Sequence, residues 1–516
     1  MTDHRRCALA LLACAAWSAA GALPTDQRTA GRRDDGTGIS AANWLLAPVG
    51  QTIEVGEMPQ QVLLSPDGTR LAVANCGFGV QSVMLIDTAS RKVVQRAEFQ
   101  TPKAIFRGMA FSADGSALYV SGGPSDVIRV VKVLPDGGIN MTIPEIPLRR
   151  VASAPPVENP EDFAGKVTLP DPVGKGVVLY PGGLALSPDG SRLWATEVMG
   201  NALAIVDPVA GAVERRIPVG ANPYDICFDP SSGQAFVTLW GAAKVAVIDL
   251  AAGRGKKQIG VDLHPTGMAL DAPRHRLYVA CAHSDTVAMV DTASLEVVGR
   301  VKLEPYPGAP LGSAPTALAM GDQGQTLYVA CSGDNAVAAV TLNAERTAGQ
   351  VTGRLPAGWY PTAVARGKDG TLWLASGRGI GSTQNAFPRR RYIPTTMAGL
   401  VQAIPPTTAE AWRAGLRTVL ANNNQQLGLE PRARAATTGS PIPSRAGGTS
   451  PIAHCVYIIK ENRTYDQVFG DLPQGNGEPK LTMFGREVTP NQHRLAEQYV
   501  LLDNFYVNAD VSADGH

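Results

Sequence analysis

Between residues 55 and 380 the chain repeats itself, and this constrains the fold more than any other feature. Pro181, Pro223, Pro265, Pro315 and Pro361 open successive apolar segments at spacings of 42, 42, 50 and 46 residues. Each unit turns at an Asp-Gly-like element, enters a second apolar strand, and completes a third strand near an Asp. The third unit reads Pro181-Gly-Gly-Leu-Ala-Leu-Ser-Pro-Asp-Gly190, then Ser191-Arg-Leu-Trp-Ala-Thr196, then Ala202-Leu-Ala-Ile-Val-Asp207. Two earlier units carry the same turn at Ser65-Pro-Asp-Gly68 and Ser112-Ala-Asp-Gly115, which brings the count to seven. Asp-Gly supplies the positive φ that a tight hairpin needs.

A period of 40 to 50 residues with three or four short strands per unit is the signature of a β-propeller. Strands such as Leu277–Ala280 and Thr286–Val290 are apolar on both faces, as blade-on-blade stacking requires. Composition agrees: 55 Gly and 39 Pro suit many turns and do not suit a helical bundle. With 46 Lys+Arg against 45 Asp+Glu, the net charge of +1 provides no general pull toward nucleic acid or an anionic membrane.

The segments Leu118-Tyr-Val120, Leu277-Tyr-Val-Ala280 and Leu327-Tyr-Val-Ala330, with the Ser-Pro-Asp-Gly turns, resemble the YVTN-repeat, YncE-like propellers. The resemblance covers roughly residues 45 to 405. It implies a mainly β, seven-bladed propeller over 43–405, but no particular activity, because propellers host unrelated functions. Residues 43–56 are expected to add a strand to the last blade and close the ring, with Gly399–Ile404 as that blade's third strand. Residues 140–180 read as a Pro-rich loop on one face. A Gly- and Arg-containing loop, Gly377–Arg391, interrupts the seventh unit.

The N-terminus reads as an export signal over 1–22. His4, Arg5 and Arg6 precede the apolar run Ala8–Ala16, and Ala20-Gly21-Ala22 forms a cleavage site. The apolar run is too short to span a bilayer, and no later stretch reaches about 18 apolar residues. The expectation is a soluble exported protein, periplasmic or secreted; Leu11-Leu12-Ala13-Cys14 only loosely resembles a lipoprotein box. Mature cysteines 76, 227, 281, 331 and 455 are odd in number and form no C-x-x-C pair, which argues against metal clusters and a disulfide framework. Cys281 and Cys331 read as small buried hydrophobes in equivalent strands.

Within the propeller, histidines occur at 264, 275 and 283, too few for a binuclear copper centre. His264 stands where other units have Asn222 or Ala314. It is either a ligand contact facing the central funnel or a solvated loop residue. Arg378, Arg389, Arg390 and Arg391 beside Tyr392 could contact phosphates, although the balanced charge favours a solvated loop over nucleic-acid binding.

Residues 406–450 read as a helix followed by a linker. Thr407 or Thr408 caps a helix over 407–423, Glu410 lies in its first turn, and Ala411, Leu416 and Leu420 form an apolar stripe. From 451 the composition changes. His454–Ile459 reads as a buried strand ending in Lys460-Glu-Asn-Arg-Thr-Tyr-Asp466. A helix over 490–499 and a second strand, Val500–Val507, follow. This order begins a parallel α/β sheet, whose ligands gather at the strands' carboxyl ends, where Glu461 and Asn462 lie.

The run Glu461–Gly470, followed by Leu502-Asp-Asn-Phe-Tyr506, resembles the alkaline-phosphatase-like phosphoesterases. An exported YncE-like propeller ahead of such a segment is similar to the bifunctional propeller/phosphoesterase proteins. The resemblance implies a phosphate-ester substrate, a divalent metal ion held in part by Glu461 and Asn462, and Ser512 as nucleophile. The order at Ser512 departs from the family, because Asp514-Gly515 replaces its usual Pro-Asn. The family places further Asp and His ligands downstream, so 451–516 is expected to be only the first part of that domain. The competing reading is a non-catalytic propeller that binds a ligand or partner on one face.

Overall fold

The computed structural model describes residues 30–134, 137–140, 144–149, 157–164, 169–170, 176–383, 392–425, 440–442, 449–503 and 505. The expected export signal over 1–22, Arg389 to Arg391, most of the expected linker and Ser512 lie outside the described residues.

The repeat folds into a mainly β, ring-like assembly, a β-propeller. Seven sheets have four strands each, and one small sheet near the N-terminus has three. The first strands of the seven large sheets begin at Pro59, Met109, Pro181, Pro223, Pro265, Pro315 and Pro361. Neighbouring first strands pack side by side, and the one at Pro361 meets the one at Pro59, so the circle closes. The core lies between sheets. In one cluster Val287 and Met289 of the fifth sheet pack on Leu318 and Val329 of the sixth. Cys281 and Cys331 are fully buried within it or beside it, as the repeat position implied.

Closure comes from the N-terminus. Gln51–Glu54 is the outer strand of the last sheet, with Ile53 opposite Val401 in the Leu400–Ile404 strand. Gln402 secures the joint: its Oε1 accepts from Gly358 N at 3.0 Å, and its Nε2 donates to Val49 O at 2.8 Å and Pro356 O at 3.2 Å. Threonine hydroxyls latch adjacent sheets. Thr266 and Thr316 each donate to the first-strand proline carbonyl of the next sheet at 3.1 Å, and Thr362 returns to Pro59 at 2.5 Å.

The hairpin turns are held by their aspartates. Asp67, Asp114 and Asp189 accept from the Ser65, Ser112 and Ser187 hydroxyls and from the backbone N–H of Thr69, Ser116 and Ser191. These bonds favour the carboxylate and hold all three groups at about 2. A depressed folded pKa contributes stability above the unfolded value and loses it as pH falls through the folded one. The triple variant Asp67→Asn, Asp114→Asn, Asp189→Asn should therefore show a shallower loss of stability between about pH 4 and pH 2. Urea unfolding at stepped pH checks this, and an unchanged slope would contradict it.

Two expectations need correcting. Part of the 140–180 insertion is not a loop on one face. Glu145–Pro147 is the outer strand of the second sheet. Farther along, Asn159 Nδ2 donates to Pro218 O at 2.7 Å and its Oδ1 accepts from Gly255 N at 2.7 Å, which seats Phe163 among core residues of the third and fourth sheets. The Ala409–Asn422 helix forms with Thr408 as its cap, but Trp412, Gly415, Val419 and Leu420 are its buried residues; Ala411 is exposed. The partner chooses that face: Trp412 stacks on Tyr328, and a Cβ on Gly415 would lie 2.2 Å from Arg354 O.

The C-terminal expectation also fails locally. His454–Ile459 is not a strand, and Val456, Tyr457 and Ile458 are about four-fifths exposed. No described strand pairs with this run, and apolar sequence alone does not make a strand. Val500 to Asp503 are not a strand either; the remainder of that run lies largely outside the described residues. The helices Tyr465–Phe469 and Pro490–Gln498 do form. They are tied by buried His493, whose Nε2 lies 2.8 Å from Asp471 Oδ1 and whose Nδ1 lies 3.0 Å from Thr489 Oγ1. No described helix is long and apolar enough to cross a membrane.

Candidate functional site

In each sheet the first strand starts, the second ends, the third starts and the fourth ends at one end of the ring. That end is called the front face here; it carries the longest connections. The back face carries the Asp-Gly hairpins.

Five of the seven front-face junctions share one device. The residue before the third strand, or opening it, accepts a hydrogen bond from the backbone N–H that leads into the next sheet. Gln81 accepts from Ile105 at 2.7 Å, Asp126 from Tyr180 at 2.8 Å and Asn201 from Asn222 at 3.2 Å. Asp285 accepts from Ala314 at 2.8 Å, and Asn335 from Tyr360 at 3.1 Å. Asp126, Asn201, Asp285 and Asn335 have φ of 51°, 55°, 51° and 50°, a left-handed conformation that Asn and Asp tolerate best. Two junctions depart. One is the ring closure, where Gly399 takes the place because a Cβ would meet Pro59 Cδ at 2.2 Å. The other is the junction from the fourth to the fifth sheet, where Ala243 sits at φ 52° and has no acceptor to offer His264. Ala243→Asn should restore the device and raise stability by about 1 kcal/mol, read as a higher urea midpoint. A lower midpoint would contradict it.

The side chains at this irregular junction are chemically distinctive. His264 packs against Trp240 with ring centroids 4.2 Å apart and against His283 at 4.0 Å. Desolvation, then the neighbouring His283, hold His264 below the ordinary imidazole value. Its Nδ1 is shielded from solvent and has no hydrogen-bond partner. Trp240 keeps 39% of its surface exposed and adjoining Leu263 keeps 55%. His264 is half-buried and packed on aromatic rings, which departs from the solvated-loop reading. His275 belongs to a back-face turn and is exposed.

The same face holds a buried ionic group. Arg107, at the second position of its unit's first segment, reaches past the third sheet. It donates from Nη1 to Tyr224 O at 3.1 Å, lies 3.4 Å from Asp225 Oδ1, and stacks over the Tyr224 ring at 4.2 Å. Gly182 and Gly183 leave room: a Cβ on Gly183 would stand 2.8 Å from Tyr224 O. Arg107 is 6% exposed, and its Nε has no partner. The front connections also pack Phe106 against Tyr180 at 5.1 Å, Phe78 against Tyr392 at 4.8 Å, and Arg378 over Trp359 at 4.9 Å. Sequence reasoning missed Arg107 and Asp225. A signal existed, because units five to seven have Thr after their first proline, where units two and four have Arg107 and Tyr224.

Exposed apolar surface is unevenly placed. Phe78, Met199, Trp240, Leu263, Leu311 and Tyr392, each more than a third exposed, all belong to front-face connections. The back face exposes Leu134 and Val209 in its turns.

Glu461 and Asn462 adjoin one another on an exposed segment just before Thr464, whose N–H donates to Gln467 Oε1 at 3.2 Å. The structure does not bring a third ligand to them: among the described residues, no three His, Cys, Asp or Glu side chains gather as a metal site. Glu461 and Asn462 alone are fewer ligands than a catalytic metal site takes.

No protein-family model matches the chain, and no curated protein matches it. Solved structures do. U3-55K aligns at 10% identity and a TM-score of 0.50, covering 70% of this chain and 100% of that one. Virginiamycin B lyase from Staphylococcus aureus aligns at 15% and 0.47, covering 69% and 100%. Hydrazine synthase from Kuenenia stuttgartiensis aligns at 20% and 0.47, covering 62% and 92%. At such identities the likeness is one of fold alone.

Proposed function

We propose that this chain is an exported, seven-bladed, YncE-like propeller that works as a binding module through its front face. One observation carries the reading: the front connections carry the large exposed aromatic and apolar side chains, on the same face as the buried Arg107 and its half-buried partner Asp225. Exposed apolar clusters rimmed by polar groups mark interaction sites. The ligand class that fits has an apolar body to cover the rim and a polar or anionic group for the mouth. The dye 8-anilinonaphthalene-1-sulfonate has that chemistry and serves as probe. Folded protein should bind it, and the double variant Phe78→Ser, Tyr392→Ser should weaken binding by about tenfold, roughly 1.4 kcal/mol. Tyr457→Ser, Ile458→Ser should retain most of it. The reverse pattern would place the apolar site in the C-terminal segment and overturn the reading.

A second reading has specific support in the run Glu461–Gly470 and its phosphoesterase resemblance. On that reading the propeller precedes a metal-dependent phosphoesterase segment, with Glu461 and Asn462 among the metal ligands and Ser512 as nucleophile. Hydrolysis of p-nitrophenyl phosphate that EDTA abolishes, and that Glu461→Ala and Ser512→Ala each remove, would establish it. Hydrolysis indifferent to all three would dismiss it.

A further inference from the structure

We propose that Arg107 is an exchangeable oxyanion-binding arm. It leaves its place across the third sheet to pair with the carboxylate or sulfonate of an amphiphilic ligand, and the Thr196 hydroxyl takes over the carbonyl that it releases. The proposal rests on the front-face binding reading above and narrows the ligand class to one with a single oxyanion on an apolar body.

The repeat itself shows the exchange. In the fourth sheet Thr238 Oγ1 donates to Thr266 O of the next sheet at 2.9 Å and accepts from Asp225 N at 3.0 Å. Thr196 holds the same place in the third sheet: Thr238 precedes the partner of Pro223, and Thr196 precedes the partner of Pro181. The carbonyl that Thr196 should bond is therefore that of Tyr224. Yet Thr196 Oγ1 is buried without a partner, and Tyr224 O accepts from Arg107 Nη1 at 3.1 Å instead. Two donors compete for one carbonyl, and the hydroxyl is left orphaned, which calls for an explanation. Two glycines make room for the arm. A Cβ on Gly182 would stand 2.8 Å from Thr196 Oγ1, and one on Gly183 would stand 2.8 Å from Tyr224 O and 3.2 Å from Asp225 Oδ1. Neither glycine has a left-handed φ, so the backbone does not require them; the space does.

Arg107 is under-bonded where it lies. Its Nε has no partner although the residue is buried. Its Nη1 is 3.4 Å from Asp225 Oδ1, longer than the about 2.7–2.9 Å of a charge-assisted bond. A guanidinium binds best through two parallel bonds to a planar oxyanion, and a ligand's carboxylate supplies both acceptors at once; a sulfonate offers the same pair of oxygens. Arg107 and Asp225 are the only charged residues at the second and third positions of the seven first segments, so Asp225 is the one anion there that competes for the arm. Departure of Arg107 leaves Tyr224 O to Thr196, as Thr266 O is already held by Thr238. It also uncovers the Tyr224 ring, now 4.2 Å beneath the guanidinium, for the ligand's apolar body.

The test titrates the full chain by fluorescence with two dyes of the same apolar body: 8-anilinonaphthalene-1-sulfonate and N-phenyl-1-naphthylamine, which lacks the sulfonate. Arg107→Met should weaken the sulfonate dye about tenfold and leave the neutral dye unchanged. Asp225→Asn removes the competing anion and should tighten the sulfonate dye about threefold, again with the neutral dye unchanged, a pattern that general exposure of the core would not give. It carries the test if Arg107→Met does not fold. Thr196→Val should weaken the sulfonate dye about threefold without lowering the urea midpoint, because its hydroxyl has no bond to lose in the free protein. Arg192→Met, beside a back-face turn, should change neither dye. Equal loss of both dyes in folded Arg107→Met, or sulfonate affinity indifferent to Arg107→Met and Asp225→Asn, would overturn the proposal. In the indifferent case Phe78→Ser, Tyr392→Ser separates the two readings: if it still weakens the dye, the front face binds without the arm, and if it does not, the front-face reading fails as well.

Discussion

Arg354→Ala should lower the stability of the protein by about 3–5 kcal/mol, the largest effect expected of any single side chain here. Arg354 is in the outer strand of the sixth sheet and is fully buried; Asp334, its partner, is 3% exposed. The guanidinium bonds Asp334 and also the carbonyl of Leu303, which follows the fifth sheet, so one side chain joins two blades. Truncation leaves the buried Asp334 carboxylate without its guanidinium, while the Leu303 carbonyl keeps only the Ser313 hydroxyl at 2.8 Å, and the uncompensated carboxylate outweighs any gain from removing the arginine. Arg216 repeats the arrangement in the third sheet, with Glu197 at 2.9 Å and the carbonyl of Leu148 at 2.5 Å. The effect is read from urea unfolding. The double variant Arg354→Met, Asp334→Leu should recover most of the loss, because it removes both charges together. A loss under 1 kcal/mol for Arg354→Ala would contradict the described burial.

Opening the ring is the second large effect. Removing residues 30–54 should abolish the single cooperative transition of the propeller. The last sheet would keep three strands and expose Val401 and Ala403, both fully buried in the intact chain beside Trp373. The new edge would also present unpaired backbone groups, a template for aggregation. Gln402→Ala is the gentler version. It leaves Gly358 N, Val49 O and Pro356 O without their shared partner and should cost about 3 kcal/mol. Both are checked by thermal unfolding with light scattering. A truncated chain that melts at the wild-type temperature and stays monomeric would show that closure contributes nothing.

How much of this was legible in the sequence depends on the range of the interaction. The Ser-Pro-Asp-Gly turns were readable because Asp67 bonds Ser65 and Thr69, residues two positions away. The closing strand at 51–54 was readable because a ring with one incomplete blade leaves a place for it. The 409–422 helix was readable from its cap, but its buried face was not. Tyr328 and the backbone at Arg354 determine that face, and neither is near the helix in sequence. The strand expected at 454–459 shows the limit of reading apolar runs, since pairing is a property of two segments. Arg107 and Asp225 were invisible for the same reason: they are brought together by the circle, across the glycines of the intervening blade. His264 stood out as an exception in its repeat position; its pairing with His283 and Trp240 needed the fold.

The front face as the working face is tested most directly by hydrogen exchange of the full chain with and without saturating 8-anilinonaphthalene-1-sulfonate. The account predicts slowed exchange in the connections at 76–81, 104–108, 222–224, 240–243 and 262–265, and no change in the turns at 65–68, 112–115 and 187–190. Slowing confined to those turns, or to 455–460, would contradict it.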